Sequence, residues 1–209
     1  MKRIYIIVLA LIFILSASLN SQSVRIKIFE TSDIHGVIFP FDFKNNRPMN
    51  TSMAQVHTLI KQERNKPDQH VILLDNGDLL QGQPTVYYYN FEKTDVPHIL
   101  SDVMNYMKYD AAAIGNHDIE TGHPVYDRLN DEFNFPWLSA NSVRTDNGGP
   151  YFKPYTIITK GEIKIAVLGQ VTPGIPNWLP PQIWEGMQFE DMITTAEHWI
   201  KEIKEKEQP

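Results

Sequence analysis

The chain has 209 residues and a formal net charge of −6 at pH 7, from 19 basic and 25 acidic side chains. This length is enough for one substantial domain. Cysteine is absent, which excludes disulfides, thiolate metal sites and lipid attachment to cysteine. The acidic balance argues against binding to long nucleic-acid polymers, which requires clustered basic side chains, but single nucleotides stay open as ligands.

The first 23 residues have the pattern of a secretory signal peptide. Two basic residues precede an apolar run over residues 4–15, and small residues follow at 16–18. A membrane anchor is the alternative, but a span needs about 20 apolar residues. We therefore expect export to the periplasm or the extracellular space, without a stable membrane anchor after cleavage. Removal of residues 1–23 would leave 17 basic and 25 acidic residues, a net charge of −8.

From residue 24 onward, strand-like apolar segments alternate with amphipathic helical patterns, as in α/β folds. Strands are predicted over residues 24–29, 71–74, 111–114 and 135–138. A first helix should begin after Ser52 and stop before Pro67. Its apolar face is formed by Met53, Val56, Leu59 and Ile60.

Further helices and a hairpin are predicted in the rest of the chain. A second helical face carries Leu100, Val103, Met104 and Met107, and a short helix contains Val125 and Leu129. Residues 155–158 and 163–168 flank a turn and predict a β-hairpin. A last amphipathic helix is expected from Phe189 to Ile203.

Three short motifs follow the first three predicted strands. They are Asp33-Ile34-His35-Gly36, Gly77-Asp78 and Gly115-Asn116-His117-Asp118. Ligands of α/β folds bind beyond the carboxyl ends of the strands, so Asp33, His35, Asp78 and Asn116 can meet at one place. Oxygen donors with one imidazole suit divalent metals. The alternative is a set of loop caps, for which Asp and Asn are common; three motifs in order favour the metal site.

The order of these motifs resembles the calcineurin-like metallophosphoesterase family. The longer strings Thr31–Gly36, Gly77–Gly82 and Trp137–Asn141 are similar to its exported 5′-nucleotidase / 2′,3′-cyclic-nucleotide phosphodiesterase branch. The resemblance runs from Val24 to the end of the chain. It implies an α/β fold in which residues 24–209 form the N-terminal part of a metallophosphoesterase αββα sandwich, incomplete at its C-terminus.

The resemblance also implies roles for the candidate ligands. Asp33 and His35 would bind a first metal, Asp78 would bridge two metals, and Asn116 would bind the second. The cofactors would be two divalent ions, whether Mn, Zn, Fe or Mg. On the residues alone, we also expect Asp33 and His35 to point to one side, because residues two apart on an extended segment do so.

His117 is the candidate catalytic side chain rather than a ligand. It would protonate the leaving oxygen or stabilise charge on the phosphoryl group. A neighbouring carboxylate would fix its tautomer. Asp118 and Glu120 are both candidates, and the nucleotidase branch often has Asp at the position of Glu120.

The implied function is metal-dependent hydrolysis of phosphoesters, with a nucleotide as the small-molecule substrate. The activity would be of the 5′-nucleotidase or the 2′,3′-cyclic phosphodiesterase/3′-nucleotidase type. The resemblance further implies later metal-binding histidines and a C-terminal domain that supplies much of the nucleotide pocket, neither of which is in this sequence. A non-catalytic fragment of such an enzyme is therefore the alternative hypothesis.

Two groups of residues have weaker claims on the site. The aromatic run Tyr87-Tyr88-Tyr89 follows the second motif and could stack a base, but packing is the more common use of such rings. The remaining histidines are assigned no metal role; they are His57, His70, His98, His123 and His198.

Overall fold

The computed structural model describes residues 23–209. Their ten strands, in chain order, are β1 (Ile26–Thr31), β2 (Phe41–Asp42), β3 (Arg47–Pro48), β4 (His70–Asp75), β5 (Ala111–Ala113), β6 (Trp137–Leu138), β7 (Ser142–Arg144), β8 (Tyr155–Lys160), β9 (Ile163–Leu168) and β10 (Met187–Phe189). The α-helices are α1 (Met53–Arg64), α2 (Pro84–Tyr87), α3 (Ile99–Met107), α4 (Asn116–Ile119), α5 (His123–Glu132), α6 (Ile175–Trp178) and α7 (Met192–Lys206). A π-helical turn over Tyr88–Glu92 continues α2, and a 3-10 turn spans Pro181–Trp184.

A four-stranded parallel sheet in the order β1-β4-β5-β6 forms the centre of the fold. The four strands are the first four predicted from the sequence, and helices connect them as expected for an α/β fold. Ile72 and Leu73 in β4 are fully buried, and so is Trp137 in β6 apart from 1% of its surface. Because all four strands run the same way, their carboxyl ends meet along one edge.

Helix α1 begins where the cap signal predicts. The Ser52 hydroxyl accepts a hydrogen bond from the Gln55 amide at 3.3 Å, and the helix ends at Arg64. Met53 and Ile60 are fully buried, but Leu59 is 46% exposed. The predicted apolar face therefore wrongly included Leu59, because an apolar residue can remain on the surface without a large penalty.

The second half of the chain contains the predicted hairpin and an unpredicted strand pair. Strands β8 and β9 pair antiparallel along their whole length. Strand β10 pairs antiparallel with β7, and Phe189, which was predicted to be helical, belongs to β10. Helix α7 begins three residues later, with Asp191 as its cap. A strand of three residues is too short to show a recognisable alternation of apolar and polar residues in the sequence.

The predicted signal peptide falls almost wholly on residues 1–22, which lie outside the described part of the chain, and it stays a prediction. Within residues 23–209, no helix has both the length and the apolar character needed to cross a membrane.

Candidate metal centre

The three motifs form adjoining loops at the carboxyl edge of the parallel sheet. They follow β1, β4 and β5, as the sequence predicts. Backbone hydrogen bonds join the first two loops directly. The Asp33 amide donates to the Gly77 carbonyl at 3.1 Å, and the His35 amide donates to the Asp78 carbonyl at 3.0 Å. The relative positions of the candidate ligands are thus set by main-chain contacts between loops.

The backbone at the candidate ligands is left-handed, which corrects one expectation. Asp33, His35 and Asp78 have φ values of 53°, 48° and 62°. Asp33 and His35 are therefore not two apart on an extended segment, although Asp33 Oδ1 does lie 3.9 Å from His35 Nε2. Such φ values are uncommon outside glycine and cluster at functional sites. The interloop hydrogen bonds hold this backbone in place.

Two glycines allow the second and third loops to approach each other. A Cβ atom added at Gly77 would lie 2.5 Å from the Gly115 amide nitrogen. A Cβ atom at Gly115 would overlap the Asp78 backbone and the Asp78 carboxylate. The loops pack so closely that neither position has room for a side chain.

Asp118 is fully buried and links the same two loops. Its carboxylate accepts hydrogen bonds from the amides of Asp78 at 3.0 Å, Leu79 at 2.8 Å, Leu80 at 3.1 Å and Gly115 at 2.8 Å. Burial raises the pKa of the Asp118 carboxyl to about 7, although the Gly115 and Leu79 amides favour its charged form. With all its acceptor positions directed at backbone amides, Asp118 is not the partner of an imidazole.

The two site histidines have matching environments. His35 Nδ1 donates to the Gln81 carbonyl at 3.1 Å, and His117 Nδ1 lies 2.7 Å from Glu120 Oε2. A carbonyl or ionised carboxylate only accepts, so each Nδ1 carries the proton and each Nε2 is left for another contact. Glu120, rather than Asp118, is therefore the partner of His117. The spacing of three residues on one helical turn was the sequence signal for this pair.

Three candidate side chains converge tightly enough for a metal ion. One ligand atom from each of His35, Asp78 and His117 lies within 4.8 Å of the others. The two imidazole rings are 5.3 Å apart between centroids. Imidazole nitrogen with carboxylate oxygen suits Zn, Fe or Mn, and the buried backbone cradle fixes the carboxylate, so the residues present fit a divalent ion.

Asp33 lies beside this cluster, and Asn116 directly precedes one of its members in the chain. The Asp33 side chain is 64% exposed, and it accepts a short hydrogen bond from the Ser32 hydroxyl. Asn116 is the half-buried first residue of α4, next to the His117 amide, which donates to Asp78 Oδ1 at 3.0 Å. The structure therefore places all five predicted residues at the carboxyl edge of the sheet. The tight group includes His117, which the sequence analysis predicted to be a catalytic side chain and not a ligand.

The other histidines lie outside this cluster. His98 is fully buried, caps α3 through its ring nitrogen and contacts the Asn90 side chain at 2.9 Å. Burial lowers the pKa of His98 to about 3, so it is a neutral structural residue. His123 contacts Tyr151 and Asp127 through Nδ1.

Asn141, in the third string of the resemblance, has a structural role. The Asn141 side-chain nitrogen donates hydrogen bonds to the Val171 and Glu190 carbonyls. Its side-chain oxygen accepts a hydrogen bond from the Val171 backbone amide at 2.9 Å.

Comparisons with known proteins match the chain to one family. The family model described as calcineurin-like phosphoesterase matches residues 26–209. The chain is 33% identical over 193 residues to a 5′-nucleotidase of Vibrio cholerae, covering 90% of this chain and 32% of the relative. It is 28% identical to a 2′,3′-cyclic-nucleotide 2′-phosphodiesterase/3′-nucleotidase of Haemophilus influenzae, covering 99% of this chain and 34% of the relative. The chain thus spans about a third of the length of these relatives.

A solved structure shows the same fold. The calcineurin-like phosphoesterase YfkN from Bacillus subtilis superposes with a TM-score of 0.76 at 30% identity, covering 86% of this chain and 58% of that one. The family match extends over nearly all the described residues, and the fold and the order of the motifs agree with it. The chain belongs to the calcineurin-like phosphoesterase family.

Proposed function

We propose that the protein hydrolyses phosphoesters of nucleotides with the help of two divalent metal ions held at the strand-end loops. The observation that carries the proposal is the convergence of His35, Asp78 and His117 within 4.8 Å. The relatives named as 5′-nucleotidase and 2′,3′-cyclic-nucleotide 2′-phosphodiesterase/3′-nucleotidase support a nucleotide as substrate. Export of the protein rests on the sequence pattern of residues 1–23.

The proposed ligands are Asp33 and His35 for one ion, Asn116 for the other, and Asp78 between them. Paired divalent ions supply a nucleophile at neutral pH and neutralise charge on phosphate oxygens. The chain's contribution is to fix the donors before the ions arrive. The Asp78 amide donates to the Asp118 carboxylate, and Asp78 Oδ1 accepts a hydrogen bond from the His117 amide at 3.0 Å. The backbone of Asp78 is left-handed.

The proposed role of His117 is proton delivery to the leaving oxygen. Glu120 Oε2 lies 2.7 Å from His117 Nδ1, so Nε2 is the ring nitrogen left for a contact with the substrate. An imidazole positioned in this way can act as a general acid. A role of His117 as an additional ligand is the competing assignment, since its ring belongs to the tight group.

Asp78→Asn tests the proposal directly. The asparagine amide keeps the size of the side chain but removes the negative charge of the carboxylate that would bridge two ions. We expect turnover of a chromogenic phosphoester, 5′-AMP and 2′,3′-cyclic AMP to fall by more than about 100-fold, since even outer-shell partners are worth about 10- to 100-fold. Phosphate release and binding of Mn²⁺ or Zn²⁺ would be measured on the same preparation by assay and calorimetry.

The matched control is Asp131→Asn, the same chemical change on the exposed surface of α5. It should leave both readouts unchanged. Full turnover in Asp78→Asn with two ions bound would contradict the bridging role. Hydrolysis by the unaltered chain after complete chelation would contradict metal dependence.

A further inference from the structure

A buried chain of hydrogen bonds connects the start of α3 to the loop after β4. Asn90 is 3% exposed, and His98 is fully buried beside the Tyr89 ring, with ring centroids 5.8 Å apart. The Leu100 amide donates to His98 Nδ1 at 3.1 Å, so the proton of this neutral ring is on Nε2. His98 Nε2 then donates to Asn90 Oδ1 at 2.9 Å, and Asn90 Nδ2 donates to the Leu80 carbonyl at 2.7 Å. Each donor therefore meets an acceptor, and the last acceptor belongs to the loop that carries the second motif.

The position of Asn90 depends on the π-helical turn over Tyr88–Glu92. The Lys93 amide donates to the Tyr88 carbonyl at 2.8 Å, five residues back, and Asn90 is the buried residue of this turn. An apolar side chain would fill the same place without the cost of removing an amide from water. Turns of this type are rare and frequently occur at functional sites. The asparagine is therefore explained by what it binds rather than by packing.

The hydrogen bond from Asn90 fixes a peptide group close to a candidate metal ligand. The Leu80 carbonyl belongs to the peptide that joins Leu80 to Gln81, and the Leu80 amide donates to Asp118 Oδ1 at 3.1 Å. The backbone of Leu80 is thus held from both sides. The next carbonyl, that of Gln81, accepts from His35 Nδ1 at 3.1 Å. A rotation of the Leu80 peptide would turn the Gln81 carbonyl away from the His35 ring.

We propose that Asn90 and His98 are positioning residues of the metal centre. They keep the Gln81 carbonyl in the direction that orients the His35 imidazole, with Nδ1 protonated and Nε2 left to bind an ion. This inference rests on the proposed role of His35 as a metal ligand. The competing explanation is that His98 serves only as the cap of α3. The two roles can be separated at the ring, because the His98 backbone amide is held independently by Glu132 Oε2 at 2.7 Å.

Two substitutions at His98 separate positioning from capping. In His98→Gln the side-chain amide can still donate to Asn90, but the acceptor for the Leu100 amide is lost. In His98→Asn the side-chain oxygen can still cap the helix at Leu100, but the donor to Asn90 is lost. We expect His98→Asn to weaken Mn²⁺ or Zn²⁺ binding by about 10- to 100-fold, as for outer-shell partners, and His98→Gln to retain the affinity of the unaltered chain. Calorimetric titration measures both, and equal affinities or the reverse order would overturn the inference.

Asn90→Ala and Asn141→Ala form a matched pair. Both asparagines are buried, and both side-chain amides donate to backbone carbonyls. Each substitution should lower the free energy of unfolding in urea, but only Asn90→Ala should also weaken metal binding, again by about 10- to 100-fold. The same metal affinity in both variants would mean that Asn90 contributes to stability alone.

A third measurement needs neither metal nor turnover. In alkaline, metal-free buffer, nitrogen-edited NMR of the imidazoles should show the neutral His35 ring protonated on Nδ1, with the signal assigned by His35→Gln. Both tautomers of His35 should appear in Asn90→Ala and in His98→Asn, whereas Asn141→Ala should keep one. An unchanged His35 signal in Asn90→Ala would overturn the inference and leave the proposed function standing. The expected tautomer change, in a chain that neither binds metal nor hydrolyses an ester, would overturn the proposed function and still support the positioning of the ring.

Discussion

At the scale of single residues, the site is built on imidazoles whose Nδ1 protons are already engaged. His35 donates to a backbone carbonyl at 3.1 Å, whereas His117 contacts the Glu120 carboxylate at 2.7 Å. A carbonyl and a carboxylate can each fix the tautomer and orientation of the ring, which leaves Nε2 for another contact. The proposed roles, metal binding for His35 and proton transfer for His117, therefore have to be separated by substitution.

His117→Ala should separate these roles. If His117 is a general acid, turnover should fall by about 10²- to 10⁴-fold, the range typical of acid–base groups, while metal binding is retained. Metal stoichiometry and phosphate release would be measured together. His198→Ala, on the exposed side of α7, is the control. Loss of one metal equivalent in His117→Ala would show instead that the ring is a ligand.

At the scale of elements, aspartate carboxylates link neighbouring segments at both ends of the sheet. Asp118 holds the loops after β4 and β5 at the site. At the opposite end, Asp110 precedes β5, accepts from the Leu73 amide at 2.9 Å and pairs with Lys160 at 2.8 Å. Both aspartates accept hydrogen bonds from backbone amides of another segment, but only Asp118 lies at the metal centre.

Asp118→Asn and Asp110→Asn therefore form a matched pair. An amide has one acceptor oxygen, so buried N–H donors lose partners in Asp118→Asn, at about 1–3 kcal/mol for each unsatisfied group. Asp118→Asn should lower the free energy of unfolding and weaken Mn²⁺ binding by about 10- to 100-fold, as for outer-shell partners. Asp110→Asn should lower stability alone. Urea unfolding and calorimetric titration measure the two effects, and equal metal affinity in both variants would contradict the anchoring role of Asp118.

At the scale of the whole molecule, a buried polar network ties β1 to β4. The Thr31 hydroxyl donates to Asp75 Oδ2 at 2.6 Å, and the Tyr109 hydroxyl lies 3.0 Å from Thr31 Oγ1. The Gly77 amide donates to Asp75 Oδ1 at 2.8 Å, so the network reaches the second motif. Burial raises the pKa of Asp75 to about 7, from a usual value of 3.8.

This raised pKa predicts a pH dependence of stability. Between about pH 4 and pH 7 the folded chain keeps a proton on Asp75 that the unfolded chain has lost, so this contribution to stability declines as pH rises through that window. Each pKa unit corresponds to about 1.4 kcal/mol. Asp75→Asn mimics the protonated carboxyl and should reduce the slope of unfolding free energy against pH, measured by urea unfolding in metal-free buffer. Asp131→Asn should keep the slope, and an unchanged slope in Asp75→Asn would contradict the assignment.

The sequence by itself determined the alternation of strands and helices, the positions of the three motifs and the meeting of their side chains at one sheet edge. These follow from local periodicity and from the parallel direction of successive strands, both of which are readable along the chain. Only the tertiary structure decided that Glu120 and not Asp118 contacts His117, and that Asp33 and His35 have left-handed backbones. It also decided that Tyr87 faces a cavity while Tyr89 packs. The reason is that the choice between chemically similar neighbours depends on which loops approach each other, and that approach is set by contacts about forty residues apart in the chain.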